Sequence, residues 1–175
     1  INAGGNLTMQ TCSLTGGTAT MITGGDASID ILTMTSGAAL TLTAAGGIAA
    51  PDVWMRGSML SMTAGDDILL DEFYADDSDV TLISTAGGIY VADGDSFMKV
   101  TGTDSTLTLS ALNDIGSADV HIRMDIPAEV VLHILHVDDY YIDAMEIPVP
   151  DPPIDPVYTG TDADGNPITN DGEIP

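Results

Sequence analysis

A segment of about twenty residues recurs along the chain, and it constrains the fold more than any other feature. Each copy is an alternating apolar–polar run followed by a turn of small residues and then an isoleucine. The clearest copies begin at Leu40, Leu60, Val80 and Leu107, and the first three starts are 20 residues apart. A repeat of this length predicts a solenoid, because one such unit is too small to bury its apolar side chains alone.

Glycine-rich turns divide the sequence into coils that start near residues 4, 24, 46, 66, 87 and 113. The last interval is longer than the others and predicts an insertion near residues 94–103. Within the coils, apolar and polar residues alternate with a period of two, as in Val120–Ile126. This period indicates half-buried strands, and the spacing typical of helices is nearly absent.

Stacking of the coils about 4.8 Å apart would place equivalent residues in columns. The three predicted aliphatic columns are Leu40, Leu60, Val80 and Leu107; Leu42, Met62, Leu82 and Leu109; and Ile48, Ile68, Ile89 and Ile115. The predicted fold is therefore all-β: a parallel β-solenoid of about six to seven coils. We expect a right-handed β-helix, because parallel crossovers are normally right-handed.

Three regions follow from this pattern. Residues 1–126 are predicted to form the β-helix repeats. Residues 127–147 are predicted to be a last coil or a cap, because Pro127 interrupts the strand pattern and Val130–Val137 is the most apolar run of the chain. Residues 148–175 form a proline-rich acidic tail or linker, for which extended polyproline geometry is expected.

The repeats AALTLTAAGGI, SMLSMTAGDDILL and DVTLISTAGGIYV resemble the β-helical shafts of large bacterial exoproteins, such as filamentous-haemagglutinin-type adhesins and autotransporter passengers. The resemblance covers roughly residues 1–126. It implies an elongated protein outside the cell or on its surface, and no catalytic residue. We therefore expect a structural or adhesive protein rather than an enzyme: the shaft of a surface adhesin or the subunit of a head-to-tail filament.

The strongly acidic composition limits the partners of the chain. It has 27 acidic and 3 basic residues and a net charge of −24, which would repel nucleic acids and anionic membrane surfaces. Membrane insertion is not expected, because no stretch of 18 apolar residues occurs. The expected partners are the chain itself, through head-to-tail stacking, or glycans and proteins of a host cell or matrix.

Two acidic segments are candidate calcium sites, because calcium takes six to eight oxygen ligands. The first contains Asp66, Asp67, Asp71, Asp76, Asp77 and Asp79. The second contains Asp162, Asp164, Asn166, Asn170 and Glu173, which match positions 1, 3, 5, 9 and 12 of a calcium-loop template. Pro167 occupies the position at which the template requires glycine. A solvated acidic surface is the alternative for both segments.

Two groups of residues are candidate contact sites. Val53 and Met55 are predicted to point inward, which leaves Trp54 outward beside Arg56 as a contact for a sugar or a protein. The alternative is that Trp54 packs on its own coil. The second group lies near the end of the repeats, where an uncovered sheet edge would pair with another chain, and comprises Val130, Leu132, Ile134, Tyr140 and Tyr141.

Two other functions remain as alternatives. Polysaccharide binding or cleavage would suit a β-helix, and cleavage would need a basic residue from among Arg56, Lys99 and Arg123. Ice binding would use outward hydroxyl pairs such as Thr41 and Thr43, although Thr81–Ser84 interrupts that pattern. Cys12 is the only cysteine, so it is predicted to pack at a corner without an internal disulfide.

Overall fold

A computed structural model describes residues 1–135 and 138–144 of the chain. These residues form fifteen strands and no helix. The strands are β1 Asn2–Ala3, β2 Leu7–Thr15, β3 Thr18–Thr23, β4 Ala27–Thr35, β5 Ala39–Ala44, β6 Ile48–Arg56, β7 Met59–Ala64, β8 Ile68–Asp76, β9 Asp79–Ser84, β10 Ile89–Val91, β11 Phe97–Thr101, β12 Thr106–Ala111, β13 Ile122–Asp125, β14 Val131–Leu135 and β15 Ile142–Ala144.

The strands stack into a parallel β-solenoid of about seven turns, as the repeat predicts. One sheet contains β1, β3, β5, β7, β9, β12 and β14 in that order, and the other contains β15, β13, β11, β8, β6, β4 and β2, with β10 also paired to β8. Every strand pair is parallel. In the part of the chain that the structure describes, no helix is long and apolar enough to cross a membrane.

Each coil has three sides, because the nine-residue strands bend in the middle. At the bend of β6, two successive residues, Pro51 and Asp52, both avoid the interior, and Asp71 and Glu72 do the same in β8. We call the seven-stranded sheet side A. The strand segments before the bend, such as 48–50, form side B, and those after it, such as 52–56 and 72–76, form side C.

The three predicted aliphatic columns are confirmed. Leu40, Leu60, Val80 and Leu107 pair in register, as do the members of the other two columns. All of these side chains are at most 2% exposed. Burial of one such aliphatic side chain is worth about 1.5–3 kcal/mol, so the columns are the main stabilising element of the solenoid.

The long coil differs from its prediction. Strand β11 pairs in register with β8, with Phe97 opposite Glu72 and Thr101 opposite Asp76. The extra residues therefore lie at two corners, 92–96 and 102–105, and not in one insertion at 94–103. A strand cannot take up extra residues without moving its neighbours out of register, whereas a corner can extend outward and leave the columns intact.

The solenoid continues after Ile126. Strand β14 pairs with β12, placing Leu132 beside Leu107, and β15 pairs with β13, placing Ile142 beside Ile122. Residues 127–135 and 138–144 thus add another turn of the same kind. The predicted tail, 148–175, lies outside the described residues, and the hand of the helix stays a prediction.

Polar side chains join successive coils at one corner. The carbonyl oxygen of the Asn6 side chain accepts a hydrogen bond from the Asp26 backbone N–H at 3.0 Å, and Asp67 accepts one from Gly88 at 2.8 Å. Asp26 and Asp114 make the equivalent bonds to Gly47 and Asp139. These side chains satisfy backbone groups that a turn would otherwise leave without partners.

A second corner contains a column of buried serines, Ser58, Ser78 and Ser105. The hydroxyl of Ser78 donates to the Asp76 carbonyl at 2.7 Å and accepts from the Ser58 backbone N–H at 3.2 Å, and Ser105 accepts from the Ser78 N–H at 3.0 Å. Among the described residues, no buried side-chain nitrogen or oxygen lacks a partner. The interior therefore contains polar groups only where they are satisfied.

Candidate functional site

Side C carries every lysine and arginine of the chain. Arg56, Lys99 and Arg123 are the 3 basic residues, and all of them alternate with buried residues on strands β6, β11 and β13, so they point outward. The single tryptophan, Trp54, lies on the same side. No other side of the described solenoid combines cationic and aromatic groups in this way.

Trp54 points outward, as the alternation predicts. It is 46% exposed, whereas Val53 and Met55 are buried. Its ring packs on Tyr74 of the next coil, with ring centroids 5.4 Å apart and planes tilted by 35°. This aromatic contact is therefore with a neighbouring coil.

Two ion pairs lie beside these rings. The Lys99 Nζ is 2.5 Å from the Asp125 Oδ2, and the Arg56 Nε is 3.4 Å from the Asp76 Oδ2. The hydrogen bond and the negative charge of Asp125 raise the pKa of Lys99. Each pair joins neighbouring coils, so one carboxylate offsets each of these cations. Arg123 lies opposite Phe97 and Asp143 in the register.

Side-chain size changes abruptly along side C. One outward column runs through Ser13, Thr33, Trp54, Tyr74, Lys99 and Asp125. The two coils before Trp54 thus contribute small hydroxyl side chains, and the next two coils contribute the longer side chains of Tyr74 and Lys99. Trp54 is therefore in register with Thr33 on one side and with Tyr74 on the other.

The first predicted calcium segment is spread over all three corners of its coil. Asp66 and Asp67 follow β7, Asp71 lies at the bend of β8, and Asp76, Asp77 and Asp79 flank the turn between β8 and β9. Several of these carboxylates accept hydrogen bonds: Asp71 from Ser96 at 2.6 Å, Asp76 from Thr101 at 2.9 Å and Asp79 from Thr106 at 2.7 Å.

In the described part of the chain, these carboxylates do not come together as one metal-binding cluster. Within residues 1–135 and 138–144, no three or more His, Cys, Asp or Glu side chains are placed to hold a metal ion. The second predicted set, Asp162, Asp164, Asn166, Asn170 and Glu173, lies outside the described residues. Calcium binding by the chain stays a prediction.

The second group of candidate contact residues lies on the last described turn. Val130 is buried beneath the turn, while Leu132 and Tyr140 are exposed and Ile134 and Tyr141 are half-buried. Leu132 and Ile134 occupy the core columns of Leu107 and Leu109, and among the described residues no further strand pairs with the other edge of β14. The rings of Tyr141 and His121 are 5.7 Å apart.

Side A displays an unbroken column of hydroxyl groups. Thr20, Thr41, Ser61, Thr81 and Thr108 pair in register and face outward. The predicted interruption at Thr81–Ser84 affects only the neighbouring column, in which Ile22 and Ile83 flank Thr43 and Thr63. Ice binding stays a prediction for this side, and thermal hysteresis of the freezing point would measure it.

No family model matches the chain, and no curated protein or solved structure matches it either. The β-solenoid architecture therefore stands on the strand pairing itself.

Proposed function

We propose that this chain is an extracellular structural and adhesive element, the solenoid shaft of a surface adhesin. The observation that supports the proposal is the continuity of the stack. Every described coil pairs in parallel register with the next, and one aliphatic core runs through all of them. Such a stack sets a fixed distance along its axis and presents its outward side chains in regular rows.

The surface of the solenoid supports the same proposal. A net charge of −24 keeps such a particle soluble and opposes side-by-side association. Side C departs from this acidic surface, because its aromatic rings and offset cations form a locally less charged area. A shaft with one distinctive side is suited to present a contact area away from the cell.

The proposal is tested by locating the protein on intact cells of the organism that produces it. Antibodies against residues 1–144 should label unpermeabilised cells, and a protease added outside should remove that label. A cytoplasmic protein serves as the control for cell integrity. Labelling that requires permeabilisation and survives external protease would overturn the proposal.

A head-to-tail filament is the second candidate. It is favoured by β14, where Leu132 occupies the core column of Leu107 and is nevertheless 40% exposed. Strand edges of this kind can pair with another copy, and such a heterologous contact does not close on itself. Electron microscopy of the purified chain at high concentration decides the matter: regular fibres that shorten on deletion of 148–175 support it, and dispersed particles a few nanometres long defeat it.

A further inference from the structure

We propose that Trp54 and the low hydroxyl surface before it on side C form a subsite for one neutral pyranose unit of a polysaccharide. This inference rests on the adhesive function proposed above, because it names a ligand for that function. The structural observations behind it all concern side C.

The indole of Trp54 packs on Tyr74 at a ring-centroid distance of 5.4 Å, and 46% of the residue is exposed. The residue in register on the opposite side is Thr33, which is too small to cover an indole. The C–H groups on one face of a pyranose form an apolar surface that can pack on such a ring, and a supported ring loses little conformational entropy on binding.

Polar side chains lie near Trp54 on side C, together with Ile31, which is in register with Asp52 and 42% exposed. Thr33 lies one coil away, about 4.8 Å in the strand-to-strand direction, and Thr35 lies two residues further along that strand, about 7 Å from Thr33. Both face outward on side C. Asp52 is two residues before Trp54, and its carboxylate can accept hydrogen bonds from sugar hydroxyls, while the threonine hydroxyls can donate or accept.

The charges select a neutral ligand. Arg56 pairs with Asp76 and Lys99 with Asp125, so these two cations are already offset. The chain as a whole carries a net charge of −24, which repels sulfated and uronic-acid polysaccharides. A neutral hexose polymer needs no free cation for binding and is not repelled by the negative charge of the chain.

The fold of the coil does not require a tryptophan at position 54. The equivalent positions of other coils hold Ser13, Thr33, Tyr74 and Lys99, so small, aromatic and charged side chains all fit there. Trp54 also contributes little to the core, because nearly half of it is exposed. Substitution of Trp54 should therefore leave the solenoid folded, which makes the site testable by mutation.

The experiment uses the tryptophan as its own reporter, since Trp54 is the only one in the chain. The full chain is titrated with cellohexaose, fully N-acetylated chitohexaose and maltohexaose while the emission of Trp54 is followed, and heparin serves as the anionic comparison. Isothermal titration calorimetry then compares the natural chain with Trp54→Leu, Trp54→Phe and Leu69→Ala. Leu69 is an exposed side chain on side B and is the matched control.

We expect saturable emission changes with at least one neutral hexasaccharide. Trp54→Leu should weaken its binding at least about tenfold, as is usual for an aromatic anchor, whereas Trp54→Phe retains part of the affinity and Leu69→Ala retains all of it. The proposal is overturned if none of the three sugars changes the emission, if Trp54→Leu binds as well as the natural chain while its thermal melt is unchanged, or if heparin binds better. Any of these results leaves the surface-labelling test unaffected, so the two proposals can fail separately.

Discussion

The carboxylate of Asp26 accepts a hydrogen bond from the backbone N–H of Gly47, one coil further along, at 3.0 Å. This contact explains the glycine that precedes Gly47. A Cβ atom added to Gly46 would lie 2.1 Å from the Asp26 Oδ1, so any larger residue must push the carboxylate away. Gly46 is thus a steric requirement of the neighbouring coil, and Gly25 and Gly87 meet Asn6 and Asp67 in the same way.

Gly46→Ala should therefore lower the free energy of unfolding by about 1–3 kcal/mol, the usual cost of overpacking. Urea denaturation followed by far-UV circular dichroism measures it. Gly94→Ala is the control, because nothing lies within 4 Å of a Cβ there. Asp26→Ala removes the obstructing oxygen, so the double variant should lose less than the sum of the two single losses. Strictly additive losses would contradict this account of the turn.

Leu82→Asp should unfold the solenoid cooperatively. Leu82 is fully buried in a core column between Met62 and Leu109, and an unpaired buried carboxylate costs several kcal/mol. Leu69→Asp makes the same chemical change on an exposed side chain and should have little effect. A far-UV circular dichroism spectrum of the natural chain that is dominated by helix would contradict the β-solenoid fold.

Ser78→Ala should cost about 1–3 kcal/mol, because it leaves the buried backbone N–H of Ser58 without its acceptor. Ser61→Ala, on the outer face of side A, is the matched control and should be close to neutral. Chemical denaturation of both variants gives the comparison. Equal stability of the two would show that the serine column contributes nothing.

Cys12 should react slowly with alkylating reagents in the folded chain. Its side chain is buried, and this burial raises the pKa of the thiol, so less of the reactive thiolate is present at any given pH. In the unfolded chain the thiol ionises at its ordinary pKa of about 8.5. This group therefore stabilises the fold less as the pH rises above that value. Iodoacetamide labelling at pH 8, with and without urea, measures the difference; equal rates would contradict burial.

Calcium should raise the melting temperature if either predicted acidic segment binds it, by mass action on the folded state. Because the 66–79 carboxylates face three different corners, we expect any rise to disappear when residues 148–175 are deleted. Thermal melts in chelator and in millimolar calcium, with both chains, test this. A rise that survives the deletion would place the ion on the solenoid after all, and identical melts of the full chain would reject calcium as a stabilising ligand.

The core of the solenoid could be predicted from the sequence because its signals are local. The alternation around Val53 and Met55 decides which side chains point inward, and the 20-residue interval from Leu40 to Leu60 decides which of them meet. Neither signal depends on knowing how distant parts of the chain are arranged.

The arrangement of the candidate sites depends on how the corners of the coils are formed, which the repeat does not reveal. Residues 66–79 are close in sequence, but they travel most of the way around one coil, so their carboxylates point in different directions. In contrast, Trp54, Lys99 and Arg123 are far apart in sequence and share one side, which becomes apparent only once the extra residues of the long coil are assigned to two corners. The serine column did carry a signal, the 20-residue interval between Ser58 and Ser78, but serine is usually exposed, so the interval alone does not indicate burial.

The backbone hydrogen bonds between coils, such as that from the Gly46 N–H to the Gly25 carbonyl at 3.1 Å, run along the long axis. A pulling force applied at the two ends therefore loads them in series, and coils should detach one at a time. An ordinary coil of about 20 residues would release roughly 70 Å of chain, at about 3.4 Å per residue. The coil from Val80 to Leu107 would release roughly 90 Å and the next one, from Leu107 to Leu132, roughly 85 Å. The extension record of a single stretched molecule would thus contain two consecutive steps that are longer than the others.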